Sequence, residues 1–182
     1  MAKITELTPG TWNVDQSHSA VSFSARHLMI SKVRGRFESF GGTITVTDDP
    51  LRSTVNAVVD TKSVTTGDES RDAHLRSGDF FDVDNYPELS FVSTHIEHDG
   101  DDFRLAGLLT VKDVTKPVVF ELEFDGVSTD PWGHTKAGFS AETEINRKDF
   151  GLEWNVALEA GGVLVGDKVK IQLDIEAVRA SS

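Results

Sequence analysis

Cysteine is absent from the 182-residue chain, which excludes a disulfide framework, a thiolate zinc site and a cysteine nucleophile. Positive charge is also in short supply: 18 Lys and Arg face 30 Asp and Glu, for a formal net charge of -12. With no evident clustering of Lys and Arg, nucleic acid is not an expected partner. The same charge opposes adsorption to anionic lipid headgroups. No apolar run approaches the length of a membrane span, and the start, residues 1–10, carries no apolar leader. The expectation is a cytoplasmic protein with no stable membrane insertion. Repeats, low-complexity tracts and Pro/Ser-rich linkers are missing as well. One domain over residues 1–182 is therefore expected, with flexible ends at 1–10 and 178–182.

What the chain has is alternation. In Val21-Ser22-Phe23-Ser24-Ala25-Arg26 the apolar residues fall on every second position, so one face of a strand is apolar and the other polar. The pattern returns at Ile44 and Val46, at Val55, Ala57 and Val59, at Leu89 and Phe91, and at Phe103, Leu105 and Leu109. It returns again at Val118, Phe120, Leu122 and Phe124, at Phe139, Ala141 and Ile145, and at Val169, Ile171, Leu173 and Ile175. Turn chemistry separates these segments, as in Gly41-Gly42, Asp48-Asp49-Pro50, Asp99-Gly100, Asp125-Gly126 and Pro131-Trp132-Gly133, and short connections imply antiparallel neighbours. The prediction is an all-β antiparallel fold of about eight strands, at the spacing of a sandwich or barrel and read here as a barrel. One stretch, residues 66–76, is polar and poor in β-branched residues. It predicts a short surface helix where the chain leaves the sheet and returns.

Whether such a barrel is solid or hollow depends on its inward side chains. Ala25, Ala57, Ser93, Gly107, Ala141 and Thr143 are small residues in the inward phase, which leaves volume. Phe23, Phe91, Phe120, Phe139 and the three Trp residues work the other way, since they can fill the axis. Alternation alone leaves both outcomes open.

For chemistry the chain offers little. Its histidines, at 18, 27, 74, 95, 98 and 134, lack metal-ligand spacing. Nucleophile elbow, P-loop, dinucleotide fingerprint and H-E-x-x-H motifs are all missing. Asp15, Ser17 and His18 lie close in sequence, but nothing supplies an oxyanion hole, and no catalytic residue is assigned. The cluster Arg71 to Arg76 suits either a phosphate or a solvated helix face. Arg147 is expected to pair with an acid such as Asp72.

Several ordered blocks together are similar to a known family. They are Trp12-x-x-Asp15-x-x-His18-Ser19-x-Val21-x-Phe23, then Arg71-Asp72-x-His74-Leu75-x-Ser77-x-Asp79-Phe80-Phe81-Asp82, and Tyr86-Pro87-x-Leu89-x-Phe91. Gly107-x-Leu109-Thr110-x-x-x-Val114-Thr115-Lys116-Pro117 and Asn146-Arg147-x-Asp149-Phe150-Gly151-Leu152 complete the set. From about Trp12 to Ala177 the chain resembles the YceI-like family of bacterial lipocalin-like, polyisoprenoid-binding proteins. The resemblance implies an extended barrel with an elongated apolar tunnel for an isoprenoid chain, a quinone-type tail or a fatty amide. Many relatives carry a secretion signal, and its absence here points the expectation toward an intracellular store, shuttle or sequestering protein.

The expected lining is Phe23, Ala25, Phe91, Leu105, Phe120, Phe139, Ala141 and Ile171, with Arg71, His74 and Arg76 as rim candidates for a headgroup. The expected ligand is one small-molecule lipid, with no cofactor, no metal and a possible homodimer. The rival readings are a metal- or haem-binding barrel and a hydrolase-like enzyme using His18 or His27, and beside them stands a purely structural dimerising barrel.

Overall fold

Period-two alternation is realised as antiparallel strands throughout. The computed structural model describes residues 3–155 and 164–181. Five strands precede the excursion: β1 (Gly10–Val14), β2 (Ala20–His27), β3 (Ser31–Phe37), β4 (Phe40–Val46) and β5 (Thr54–Asp60). The two-residue β6 (Val64–Thr65) and the helix α1 (Glu69–Arg76) follow. Five long strands complete the sheet: β7 (Glu88–Asp99), β8 (Asp102–Val111), β9 (Val114–Thr129), β10 (Thr135–Asn146) and β11 (Val165–Arg179).

The hydrogen-bonded order β1-β4-β5-β7-β8-β9-β10-β11 returns to β1 through Trp12↔Arg179, Asn13↔Val178 and Val14↔Ala177. This is a closed eight-stranded antiparallel barrel, and closure leaves no unpaired edge in that ring. β2 continues the line of β1 along β11, with Asp174↔Ala20 through Val165↔His27. β3 in turn pairs with β2, and β6 with β3. The sheet is thus lengthened at one end by β2, β3 and β6. Register slips at Ser93/His95, Gly138/Phe139 and Val165/Val169 bend the long strands, as bulges do in barrels.

Turn residues stand where the geometry needs them. Asp99↔Asp102 closes the β7–β8 hairpin with Gly100 at φ 63, a left-handed conformation that costs glycine least. α1 begins on Asp68, whose side chain accepts from the Arg71 backbone N–H, a standard N-cap contact.

β1 and β3 are strands that alternation did not reveal. Among the described residues near the chain's start, Ile4–Glu6 form a 3-10 turn, Leu7 is buried, and the Trp12 indole donates to the Thr8 carbonyl. At the other end β11 runs through Arg179, which donates to the Pro9 carbonyl, and the Ala180 N–H donates to Thr11.

Most of the buried apolar residues fall into two clusters. One gathers Leu7, Trp12, Val46, Phe103, Phe124, Ala137 and Ala177. The other gathers Phe80, Leu105, Val111, Val118, Phe120, Phe150 and Leu152, nearer the α1 end. Among the described residues, no helix is long and apolar enough to cross a membrane.

Candidate functional site: the barrel interior

Between the two clusters the inward side chains are apolar but only partly buried. Phe23, Ala25, Phe91, Phe139, Ala141 and Ile171 all retain accessible surface although their strands lie inside a closed sheet. They retain it because the barrel encloses a cavity of about 310 Å³. That volume is within the range of small-molecule sites. On β11 the wall includes Val165, Val169, Ile171, Leu173 and Ile175. The six regular residue steps from Val169 to Ile175 span roughly 20 Å, so the cavity is elongated along β11.

All eight side chains expected to line the interior do so: Phe23, Ala25, Phe91, Leu105, Phe120, Phe139, Ala141 and Ile171. Leu105 and Phe120 are the most buried of them and belong to the packed cluster as well. Phe91 and Phe120 meet edge to face at 5.5 Å, and Phe23 and Phe37 at 5.6 Å. Such pairs hold rings in place beyond their area burial.

The small inward residues divide into two kinds. Ala25, Ala57 and Ala141 open onto the cavity. Gly107 does not, because a Cβ there would stand 2.3 Å from Phe91 Cζ, and Gly35 is filled in the same way by Phe23. The Ser93 hydroxyl accepts from the Val55 N–H and the Thr143 hydroxyl donates to Val119, so both are spent on backbone. Gly107→Ala is therefore expected to destabilise the fold by about 1–3 kcal/mol through overpacking, measured as a lower urea midpoint. Ala57→Ser should change it far less.

The wall carries a single charged residue among those described, Arg147, which sequence reasoning did not place there. Its side chain is buried, and its guanidinium donates to the carbonyls of Leu152, Trp154, Gly166 and Val165, with Asp167 at 3.8 Å. Burial pushes its pKa down and Asp167 opposes this. The expected Arg147–Asp72 pair does not form. Asp72, also buried, instead accepts from the Thr66 N–H and hydroxyl.

The rim candidates are likewise engaged within the protein. Arg71 donates to the Thr66 hydroxyl and carbonyl, and Arg76 to the carbonyls of Lys62 and Val64. His74 meets Asp79 at 2.9 Å and stacks edge-on against Phe80 and Trp154. The block from Arg71 to Asp82 thus ties α1 to β6. It presents Leu75, Phe80 and Phe81 to the cavity rather than its cations.

Residues 12–177, nearly the whole chain, match the family model of the YceI-like domain. The chain belongs to the YceI-like family. It is 43% identical over 137 residues to "Protein YceI" of Escherichia coli O17:K52:H18, covering 75% of this chain and 72% of that one. The Salmonella newport "Protein YceI" is 37% identical over 163 residues, 89% of this chain and 82% of that one. Among solved structures, the Campylobacter jejuni YCEI protein superposes with a TM-score of 0.71 at 27% identity, covering 86% of this chain and 90% of that one. A polyisoprenoid binding domain from Saccharophagus degradans shares the fold, with a TM-score of 0.72 at 16% identity over 93% and 98% of the two chains.

On the outside of this YceI-like barrel, the turn between β1 and β2 does bring Asp15, Ser17 and His18 together. Ser17 Oγ donates to Asp15 Oδ1 at 2.6 Å, while His18 Nδ1 lies 2.8 Å from Asp15 Oδ2 and 3.2 Å from Ser17 Oγ. One ring nitrogen faces both partners, whereas a triad needs the carboxylate and the nucleophile on opposite nitrogens. Asp15, His18 and Glu176 also place ligand atoms within 4.8 Å of one another. The Lys136 ammonium already sits 3.6 Å from both Asp15 and Glu176, so the group is an ion-pair network with its cation supplied.

Hydrogen bonds from Ser17 and His18 hold the Asp15 carboxyl at a pKa of about 2, below its usual 3.8. A folded-state pKa below the unfolded one stabilises the fold above about pH 4, and that stabilisation is lost as pH falls toward 2. Asp15→Asn should lower stability at neutral pH and flatten the acid limb between those values, as read by thermal melts across pH.

Proposed function

We propose that the barrel binds one long apolar lipid non-covalently in its interior, as a carrier, store or sequestering protein. The observation that carries this reading is a 310 Å³ cavity whose wall is apolar along its length. An apolar chain that fills this volume gains about 0.8 kcal/mol gross per buried CH₂. An elongated apolar channel therefore favours a linear chain, such as an isoprenoid, a quinone-type tail or a fatty amide. That the Saccharophagus degradans domain of the same fold is a polyisoprenoid binding domain points the same way.

The wall supports binding rather than turnover. General acid–base chemistry needs a titratable group facing the reacting atoms. The one charged side chain on the described wall, Arg147, has its donors committed to backbone carbonyls. Selectivity then comes from length and shape, not from a charged headgroup clamp.

Titration with a series of prenyl alcohols of increasing length, followed by quenching of intrinsic Trp fluorescence, tests this. The expected result is one-to-one binding that tightens with each isoprene unit until the cavity is full. Affinity independent of chain length would overturn the reading.

A further inference from the structure

The chain's acidity conceals one local inversion. Residues 16–37 contain no Asp or Glu, although the chain has 30, yet they carry Arg26, Lys32, Arg34 and Arg36. The β2–β3 hairpin gathers these cations on one surface. Arg26 pairs across the ladder with Lys32, Ser24 with Arg34 and Ser22 with Arg36. The alternate positions, Phe23 and Ala25, face the cavity, so all four cations point outward, and all four are exposed.

Several nearby acids are already committed. Glu38 pairs with Arg36, Asp167 with Lys148 and Arg147, and Glu142 and Glu144 with Lys170 and Lys168. Among the described residues, no ion pair cancels the charge of Arg26, Lys32 and Arg34.

The tip between the cations is apolar. Leu28, Met29 and Ile30 are 39%, 55% and 81% exposed. Leu28 and Met29 both adopt positive φ, 54° and 64°, a conformation that aliphatic side chains disfavour and that Asn or Gly would take more readily. A hairpin that merely had to turn would not place three large apolar residues in water on such a backbone. Cations on the flanks and apolar residues at the apex match a bilayer interface, where headgroup phosphates meet acyl chains.

We infer that the β2–β3 hairpin docks the barrel on an anionic lipid bilayer, with Leu28, Met29 and Ile30 entering the interface and Arg26, Lys32 and Arg34 contacting headgroup phosphates. This reverses, for one element, the repulsion that the net charge of -12 implies. The tip projects from the strands whose inner face carries Phe23 and Ala25, so docking brings the cavity wall next to the membrane. Only this placement rests on the lipid-container reading, because docking and loading are measured separately.

The test is flotation with phosphatidylcholine vesicles containing about one-quarter phosphatidylglycerol, beside pure phosphatidylcholine vesicles. Two variants accompany the wild-type chain, Met29→Ser/Ile30→Ser and Lys32→Gln/Arg34→Gln, each checked for an unchanged melting profile. The wild-type chain should float with the anionic vesicles at low ionic strength, stay behind with the neutral ones, and be released by high salt. Loss of two cations should weaken partitioning by roughly 30-fold, each being worth about fivefold at an anionic surface. Loss of the two apolar tip residues should weaken it by about tenfold or more. A wild-type chain that fails to float with anionic vesicles overturns the inference and makes an acidic protein surface the next occupant to test. Folded variants that float as well as wild type overturn it too.

Discussion

Ala141→Trp is expected to leave the barrel folded and to reduce uptake of a long apolar chain by at least about tenfold, since 1.4 kcal/mol of lost contact already gives that factor. Ala141 lies mid-strand on β10, between Leu122 of β9 and Leu173 of β11, and its methyl group faces the cavity. An indole there occupies space that the surrounding strands do not use. Overpacking costs arise where the core is already full, and this position borders a void, so the melting temperature should hold or rise. The pairing of unchanged stability with lost uptake separates a hollow barrel from a solid one. If the variant takes up prenyl chains as well as the parent does, then the cavity is not where the ligand goes. If it unfolds, the space around Ala141 was never free.

The second large effect concerns Arg147. Substituting methionine keeps a long apolar stem but removes every donor that now serves Leu152, Trp154, Val165 and Gly166. It also strips the guanidinium from beside Asp167, one of whose oxygens is buried without a hydrogen-bond partner. Removing one side of a buried charged network costs about 3–5 kcal/mol, a large share of the 5–15 kcal/mol typical of a whole domain. Arg147→Lys should recover little, since a single ammonium cannot reach carbonyls arranged around a planar guanidinium. Urea unfolding followed by circular dichroism measures both variants. A midpoint shift corresponding to less than about 1 kcal/mol for methionine would show that these bonds are dispensable.

How far sequence reasoning reached depends on what each residue's role is written in. Side-chain alternation is a local signal, so strands such as β9 and β11 and the inward phase of Phe23, Ala141 and Ile171 were legible. β3 escaped because one of its inward positions is Gly35, which has no side chain to mark the phase. β1 is five residues long and begins on Gly10. Hollowness was only partly legible. Ala57 and Gly107 look alike in a one-dimensional pattern, yet Phe91 fills the space over one and leaves the other open.

Charge proved the least legible layer, because partners come from anywhere in the chain. Arg71, His74 and Arg76 read as a rim, whereas Thr66, Asp79, Lys62 and Val64 claim them. Arg147 read as the partner of Asp72 and instead stands on the cavity wall with its donors on backbone carbonyls. Net charge says nothing of where the charges sit. The acid-free stretch from Gln16 to Phe37 is visible in the sequence, but its concentration on one outward face appears only once the β2–β3 register is known.

The central claim is that the interior is a lipid site. Its most direct test is organic extraction of the protein purified from its native host without detergent, followed by mass spectrometry of the extract. The account predicts one linear apolar lipid per chain, released from the wild type and missing from Ala141→Trp. A wild-type extract with no stoichiometric lipid, from a chain that also fails to bind added prenyl alcohols, would contradict it.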